Sequence, residues 1–231
     1  FQPGKLYGNG LGQARRKMEN FMKYDKVKVL GIIAMAMVVV SSNVLVQFYF
    51  GSFLTYGAFT YPFAFLVNDL INKFRGPSAA RRVIFWGFLV GVFCSFVGSQ
   101  IQGEFGPLVT LRIAIGSGIA FLLAHLTDIK IFNYFRNMVW WFPPLLSSFL
   151  GSILDTFTFF YIAFSDSLGF IEPKNDVSWA NETIPLLNTF KFDAPFWISM
   201  AVADFIVKIV LASLFLIPFR RIVLSARQIK V

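Results

Sequence analysis

Residues Val83–Ile101 read VIFWGFLVGVFCSFVGSQI, and none of these 19 positions carries a charged side chain. An α-helix rises about 1.5 Å per residue, so a run of this length can cross the roughly 30 Å hydrocarbon layer of a bilayer. A helix on the surface of a soluble protein would instead carry a polar face. The stretch therefore predicts a transmembrane helix.

Similar apolar runs occur five more times along the chain. The other predicted spans are Val27–Phe50, Phe53–Ile71, Leu108–Phe132, Pro143–Phe164 and Pro195–Phe219. The composition agrees, since 56% of the 231 residues are hydrophobic and only 14% are charged. These values exclude an ordinary soluble enzyme. We predict an all-α, polytopic membrane protein whose six transmembrane helices form one bundle.

The first residues differ from the rest of the chain. Residues 1–17, FQPGKLYGNGLGQARRK, are polar and Gly-rich without periodicity, and Met18 then follows like a natural start. We predict an added expression segment or a disordered tail for residues 1–17, and a single transmembrane domain for residues 18–231. Cys94 is the only cysteine, which excludes an intramolecular disulfide.

The basic residues fall on one side of the predicted spans. Of the 21 Lys and Arg residues, 16 lie in the two terminal segments, the connection between spans 2 and 3 and the connection between spans 4 and 5. The opposite side carries six acidic residues but only two lysines, Lys174 and Lys191. Because positive charge is retained in the cytoplasm, we predict a bacterial inner-membrane protein with both termini cytoplasmic. The same rule explains the net charge of +9 without a nucleic-acid partner.

Four carboxylates lie inside predicted spans, namely Asp69, Asp128, Asp155 and Asp204. An ionisable residue at bilayer depth costs about 2.5–3.5 kcal/mol on insertion scales and is normally retained for a function. Asp204 precedes Lys208 by four residues, so the two share a helix face and are predicted to form an ion pair. We interpret this pair as structural, with direct contact to a substrate or a proton as the alternative.

A short repeat surrounds two of these carboxylates. The segment AHLTDIKIF (124–132) aligns with GSILDTFTF (151–159) at an offset of 27 residues, which matches Asp128 with Asp155. Equivalent carboxylates on adjacent helices indicate a shared polar cavity of the kind that transporters build near the midplane. A chance match of so short a segment is the alternative.

The same residues give little support for a catalytic site. Ser117 and His125 are eight residues apart on one helix, about 12 Å along its axis, which is too far for a nucleophile and its base. A single histidine cannot complete the usual zinc ligand set. We therefore predict neither an enzyme nor a metal site, and no cofactor.

The stretch YPFAFLVNDLIN (Tyr61–Asn72), followed by Gly76 and AARR (Ala79–Arg82), resembles the second-span signature of the queuosine precursor transporter family, also called the vitamin uptake transporter family. Further matching positions follow in order along the chain: Asn43; Arg112–Ala114 with Ser117, Asp128 and Phe132; Ser147, Ser148, Leu154–Thr156, Phe159 and Phe160; Asp204, Lys208 and Ile217–Arg220. Together these matches cover residues 27–221.

The resemblance implies an importer of queuosine precursors, the 7-deazaguanines with a 7-cyano or 7-aminomethyl group, which feed tRNA modification. It also implies a helical bundle related to the substrate-binding components of energy-coupling-factor vitamin transporters. A capture subunit that needs a separate ATPase module is therefore one alternative, and a non-transporting scaffold with a basic cytoplasmic face is another. The exact precursor, proton symport versus facilitated diffusion, and a homo-oligomeric state stay open.

The chemistry of such a ligand points to particular side chains. A deazaguanine presents a ring N–H and an exocyclic amine on one edge, so a carboxylate can accept both hydrogen bonds while aromatic rings stack on the flat bicycle. Phe65, Trp86 and Phe132 are the aromatic candidates because they neighbour polar positions in the sequence. The full predicted substrate-binding set is Asn43, Phe65, Asn68, Asp69, Trp86, His125, Asp128, Phe132 and Asp155.

Overall fold

A computed structural model describes residues 26–104 and 106–228. These residues form eight α-helices, which in chain order are α1 (Lys26–Leu45), α2 (Gly57–Thr60), α3 (Phe63–Arg75), α4 (Pro77–Gln100), α5 (Leu111–Tyr134), α6 (Phe142–Phe164), α7 (Ser178–Asn181) and α8 (Phe196–Gln228). Within the described ranges, α1, α4, α5, α6 and α8 are long and apolar enough to cross a membrane. The prediction of a mostly helical chain with several helices of membrane-spanning length and composition is thus confirmed, while the predicted number of six spans is not. The tail predicted for residues 1–17 lies outside the described residues.

The second predicted span is not one continuous helix. Residues 49–55 form a hairpin in which β1 (Tyr49–Phe50) pairs with β2 (Leu54–Thr55), and α2 and α3 then follow in succession. Pro62 stands between the two helices and lacks the N–H group that a continuous helix would use there. With 13 residues, α3 is only about 20 Å long. The expectation of an unbroken span over Phe53–Ile71 was therefore wrong.

The remaining connections are short or locally folded. Gly76 adopts a φ of 80° and joins α3 directly to α4, which begins at Pro77. A second hairpin, β3 (Gln102–Gly103) with β4 (Gly106–Pro107), joins α4 to α5. Between α6 and α8 lie α7 and a third hairpin, β5 (Thr183–Pro185) with β6 (Asp193–Pro195).

The basic connections meet at one end of the bundle. Arg136, in the connection between α5 and α6, donates from Nη2 to the carbonyl oxygens of Asn72 (2.6 Å) and Lys73 (2.9 Å) at the end of α3. Arg220 of α8 lies over the ring of Trp140, with its guanidinium carbon 4.7 Å from the centroid. We refer to this end of the molecule as the basic end.

Two glycines allow α5 and α6 to pack closely. A Cβ atom at Gly151 would lie 2.7 Å from the ring of Phe65 and 3.2 Å from the carbonyl oxygen of Ala124. A Cβ atom at Gly116 would lie 3.3 Å from the carbonyl oxygen of Phe159. Small residues at helix contacts are a common means of bringing transmembrane helices together. The polar residues of α5 and α6 described below depend on this close approach.

We expect Gly151→Val to destabilise the protein by about 1–3 kcal/mol, because the added methyl groups must push α6 away from α5 and α3. Thermal unfolding of the purified protein in detergent measures the effect. Gly169→Val is the matched control, since a Cβ atom there meets nothing within 4 Å and should change stability by less than about 0.5 kcal/mol. Equal melting temperatures for the two variants would contradict the packing argument.

Candidate functional site

Helix α3 carries three polar side chains into the bundle. Asn68, Asp69 and Asn72 are all buried, although the helix is short and begins with the apolar run FAFLV. Asn68 and Asn72 are four residues apart and therefore lie on the same face. Polar groups this deep need partners, and in a membrane the partners must come from neighbouring helices.

Asn68 and Asn72 join α3 to α5. Asn68 Nδ2 donates to Asp128 Oδ2 and lies 3.5 Å from the carbonyl oxygen of His125. Asn72 Nδ2 donates to the carbonyl oxygen of Ile129 at 3.4 Å. The two amides thus fix α3 alongside the half of α5 that is nearer the basic end.

Asp69 faces α6. Its two carboxylate oxygens accept hydrogen bonds from the hydroxyl groups of Ser147 and Ser148, each at 3.4 Å. These are long hydrogen bonds and hold the carboxylate only weakly. Asp128 is close enough for the two carboxyl groups to interact directly. Two carboxylates in this position repel each other when both are charged, so a ligand that places N–H donors between them would be favoured.

Several buried polar atoms around this acid pair have no hydrogen-bond partner within the described residues. They are Asn68 Oδ1, Asn72 Oδ1, Asp128 Oδ1, both ring nitrogens of His125 and Ser152 Oγ. Leaving such a group unpaired costs about 1–3 kcal/mol, and buried polar groups are otherwise nearly always paired. Ser152 follows Ser148 by one helical turn and so faces the same side of α6. We call Asn68, Asp69, His125, Asp128 and Ser152 the polar site.

Aromatic rings enclose His125. The ring centroids of Phe65 and Phe121 are each 4.5 Å from that of the imidazole, and the Tyr61 centroid is 6.1 Å away. All of these rings belong to α3, α5 or the break before α3. The polar site is therefore bordered by flat apolar surfaces.

A second polar cluster is built around Lys208 of α8. Its ammonium group contacts Asp204 one turn earlier on the same helix and Asp155 of α6, at 2.6 Å from Oδ2. Thr156 donates to Asp204 at 2.8 Å and lies 3.1 Å from the lysine nitrogen. Tyr61 donates to the other oxygen of Asp155 at 3.0 Å. We call Asp155, Thr156, Asp204 and Lys208 the ion-pair cluster, and Tyr61 connects it to the rings around His125.

A small cavity lies between the two clusters. It offers about 10 Å³ to a water-sized molecule, which is room for about one water. Its lining residues are Pro62, Phe65, Leu66, Asp69, Pro144, Ser148, Lys208, Ala212, Phe215, Leu216 and Phe219. We call it the polar cavity. It has no room for a molecule much larger than water.

The structure brings most of the predicted site residues together, but not all of them. Phe65, Asn68, Asp69, His125 and Asp128 lie in or against the polar site, whereas Asp155 belongs to the ion-pair cluster. The repeat had placed Asp128 and Asp155 in one shared cavity, yet they have different partners.

Three predicted residues lie elsewhere. Trp86 is 50% exposed on α4 beside Phe85, so its expected place among the site residues is corrected. Asn43 donates to the carbonyl oxygen of Val39 on its own helix and is not among the polar-site contacts. Phe132 is buried with its ring against Phe219.

Other polar residues in these clusters had not been selected from the sequence. Tyr61, Asn72, Ser147, Ser148 and Thr156 all contact predicted residues or their helices. Two sequence signals could have identified Asn72 and Ser148. Asn68 and Asn72 are spaced one turn apart, and Ser148, Ser152 and Asp155 follow one face of a single helix.

Comparisons with known proteins fit this arrangement. A family model described as "Putative vitamin uptake transporter" matches residues 55–223. The "Queuosine precursor transporter" of Escherichia coli (strain K12) is 30% identical over 225 residues, covering 90% of this chain and 92% of the relative. The "Probable queuosine precursor transporter" of Haemophilus influenzae is 30% identical over 182 residues, covering 74% and 68%. The protein of the same name from Bacillus subtilis is 26% identical over 135 residues, covering 50% and 58%.

The comparison with solved structures found no significant match. Similarity to the substrate-binding components of energy-coupling-factor transporters therefore stays a prediction. The prediction of a transporter rather than an enzyme is confirmed by the relatives, since all three are named as transporters.

Proposed function

Because the chain belongs to the vitamin uptake transporter family, we propose that it imports queuosine precursors, the 7-deazaguanine bases, across the bacterial inner membrane. The names of its relatives support this substrate class. We place both termini and the basic end in the cytoplasm, because retained positive charge marks that side. The base then enters from the side of α7 and leaves at the basic end.

One observation carries the substrate proposal. Several buried atoms of the polar site have no hydrogen-bond partner among the described residues. Two of these atoms, Asp128 Oδ1 and Asn68 Oδ1, are acceptors. The amine edge of a deazaguanine brings N–H donors, which these acceptors lack. His125 and Ser152 can each donate as well as accept, so either can serve the carbonyl oxygen of the base. A ligand of this kind would convert the unpaired atoms of the polar site into a satisfied network.

The rings around His125 support the same ligand. Phe65 is buried beside both the polar cavity and the imidazole, so it can stack on a flat base whose edge reaches Asp69 or Asp128. We keep Phe65 and His125 in the binding set. Trp86 is left out because it faces outward, and Asn43 because it bonds to its own helix.

Asp155 has a different role in this proposal. Both of its oxygens are engaged, one by Lys208 and one by Tyr61. A carboxylate with these partners has little capacity left for a ligand. We propose that it anchors α6 to α8.

The broken second span fits a transporter with six crossings. Residues 57–75 contain α2, the break at Pro62 and α3, and together they can cross the bilayer as a discontinuous helix. Transporters commonly place such breaks at their substrate sites, where loosened backbone and polar side chains meet. Here the break directly precedes Phe65, Asn68 and Asp69.

Ligand binding tests the proposal most directly. Purified protein should be stabilised by both deazaguanine precursors, since a bound ligand raises the melting temperature by mass action. A stabilisation of about 2.7 kcal/mol is expected at a ligand concentration 100 times Kd. Common vitamins serve as controls, and stabilisation by a vitamin alone would reject the substrate class.

Uptake by the purified protein then distinguishes an autonomous importer from a capture subunit. Proteoliposomes that contain this chain alone should accumulate labelled precursor until the inner and outer concentrations are equal, or beyond that point if a proton gradient drives uptake. Binding without any uptake would favour a subunit that needs an ATPase module.

A further inference from the structure

Two cavities near the basic end share one wall. The first is the polar cavity, whose lining includes Asp69, Ser148 and Lys208. The second offers about 150 Å³ to a water-sized molecule and is lined by Lys73, Trp140, Phe219, Arg220, Val223 and Leu224. We call it the basic cleft. Phe219 is the residue that lines both cavities, so its side chain separates the polar cavity from the basic end.

Phe219 is firmly packed in this position. It is 3% exposed, and its ring meets that of Phe132 at a centroid distance of 6.3 Å and an interplanar angle of 70°. Edge-to-face contacts of this kind stabilise both rings beyond the effect of their burial. Any opening between the two cavities along this side chain therefore requires the ring to leave its contact with Phe132.

The helix is locally weakened next to this ring. Pro218 lies inside α8, where it cannot donate a hydrogen bond to the carbonyl oxygen of Leu214 and its ring crowds the preceding turn. Proline positions are the usual sites of helix kinks. Asp204 and Lys208 precede Pro218, while Arg220, Val223 and Leu224 follow it. The wall of the basic cleft can thus move while the ion-pair cluster stays in place.

We propose that Phe219 is the gate between the polar site and the basic cleft, and that a ligand held at Asp69 leaves past this ring. The identity of that ligand rests on the proposed function, whereas the gate does not. Beyond the ring, Arg220 stacks on the partly exposed indole of Trp140. A flat base can contact this aromatic and cationic surface as it leaves.

Thiol accessibility tests the gate without any ligand. Cys94 is the only cysteine, so Cys94→Ser gives a clean background and Ser148→Cys places a reporter in the polar cavity. A membrane-impermeant thiol reagent is added to inverted membrane vesicles, which expose the proposed cytoplasmic side. We expect slow labelling in this parent and labelling at least about tenfold faster after Phe219→Ala, because removal of the ring leaves the passage open.

Phe215→Ala is the matched control. Phe215 lies on the same helix and lines only the polar cavity, with its ring 4.5 Å from that of Phe63. Its removal enlarges the cavity without opening the wall, so labelling should stay within about twofold of the parent. Equal acceleration by the two variants, or no acceleration by Phe219→Ala, would overturn the gate.

A smaller substitution at the same position keeps the test decisive if Phe219→Ala does not fold. Phe219→Leu keeps an apolar side chain against Phe132 and should give intermediate labelling, and gel filtration checks that each variant is folded. If Phe219→Ala does not fold, the rate for Phe219→Leu decides, and a rate equal to the parent's would reject the gate. Deazaguanine binding is measured separately, so failed gating with intact binding rejects only the gate, and intact gating without binding rejects only the substrate class.

Discussion

Asp128→Asn is expected to lower the initial rate of deazaguanine uptake by roughly 10- to 100-fold, because a hydrogen bond to a charged group contributes about 1.5–3 kcal/mol. Asp128 Oδ2 already accepts from Asn68, and Oδ1 is buried without a partner in the described residues. An amide at this position presents an NH₂ group where an acceptor is needed. Labelled precursor uptake into proteoliposomes measures the effect.

Two further variants complete this experiment. Asp193→Asn removes an exposed carboxylate in β6, far along the chain from the polar site, and should leave uptake unchanged. Asp69→Asn should lower uptake as well, and the double variant should lose less than the sum of the two effects because the carboxyl groups interact. Uptake at the parent's rate in folded Asp128→Asn protein would remove Asp128 from the proposed site.

The buried carboxylates could be predicted because a charge inside an apolar run is visible in the sequence itself. Asp69, Asp128, Asp155 and Asp204 are all buried in the structure, as their positions inside predicted spans suggested. Their partners could not be predicted equally well. Lys208 was paired with Asp204 from helical spacing alone, while its contact with Asp155 depends on how α6 packs against α8.

The error at Trp86 has a different physical cause. Helix α4 is apolar around its circumference, so no periodicity distinguishes its buried face from the face that contacts lipid. In the structure Val83, Ile84 and Gly87 face inward while Phe85 and Trp86 face outward. Proximity in sequence to a polar residue therefore gave no information about direction.

The broken second span shows what average hydropathy conceals. Residues 53–71 are apolar enough to suggest one helix, but a hairpin and Pro62 interrupt it. Pro62 is visible in the sequence, and its missing N–H group indicates a break in the helix. The prediction gave more weight to the apolar run around it. This interruption matters for function because it positions Tyr61 against Asp155 and Phe65 against His125.

Lys208→Met is expected to have the largest effect on stability, with a loss of about 3–5 kcal/mol, because it removes the cation from between two buried carboxylates. The lysine nitrogen contacts both Asp155 and Asp204, and all three residues are buried. The charges left on Asp155 and Asp204 would face each other across α6 and α8 without a counter-charge. Thermal unfolding and the yield of folded protein from membranes measure the loss.

Removal of the two acids together with the lysine separates charge balance from simple packing. In the triple variant Lys208→Met, Asp155→Asn, Asp204→Asn no buried charge remains in the cluster, and replacing a buried ion pair by neutral groups is often close to neutral in stability. We therefore expect the triple variant to regain most of the stability that Lys208→Met loses, whereas Lys191→Met, at an exposed position, should change little. If the triple variant is no more stable than Lys208→Met alone, the lysine acts mainly through the packing of its side chain. In that case the ion-pair cluster would not be what holds α6 against α8.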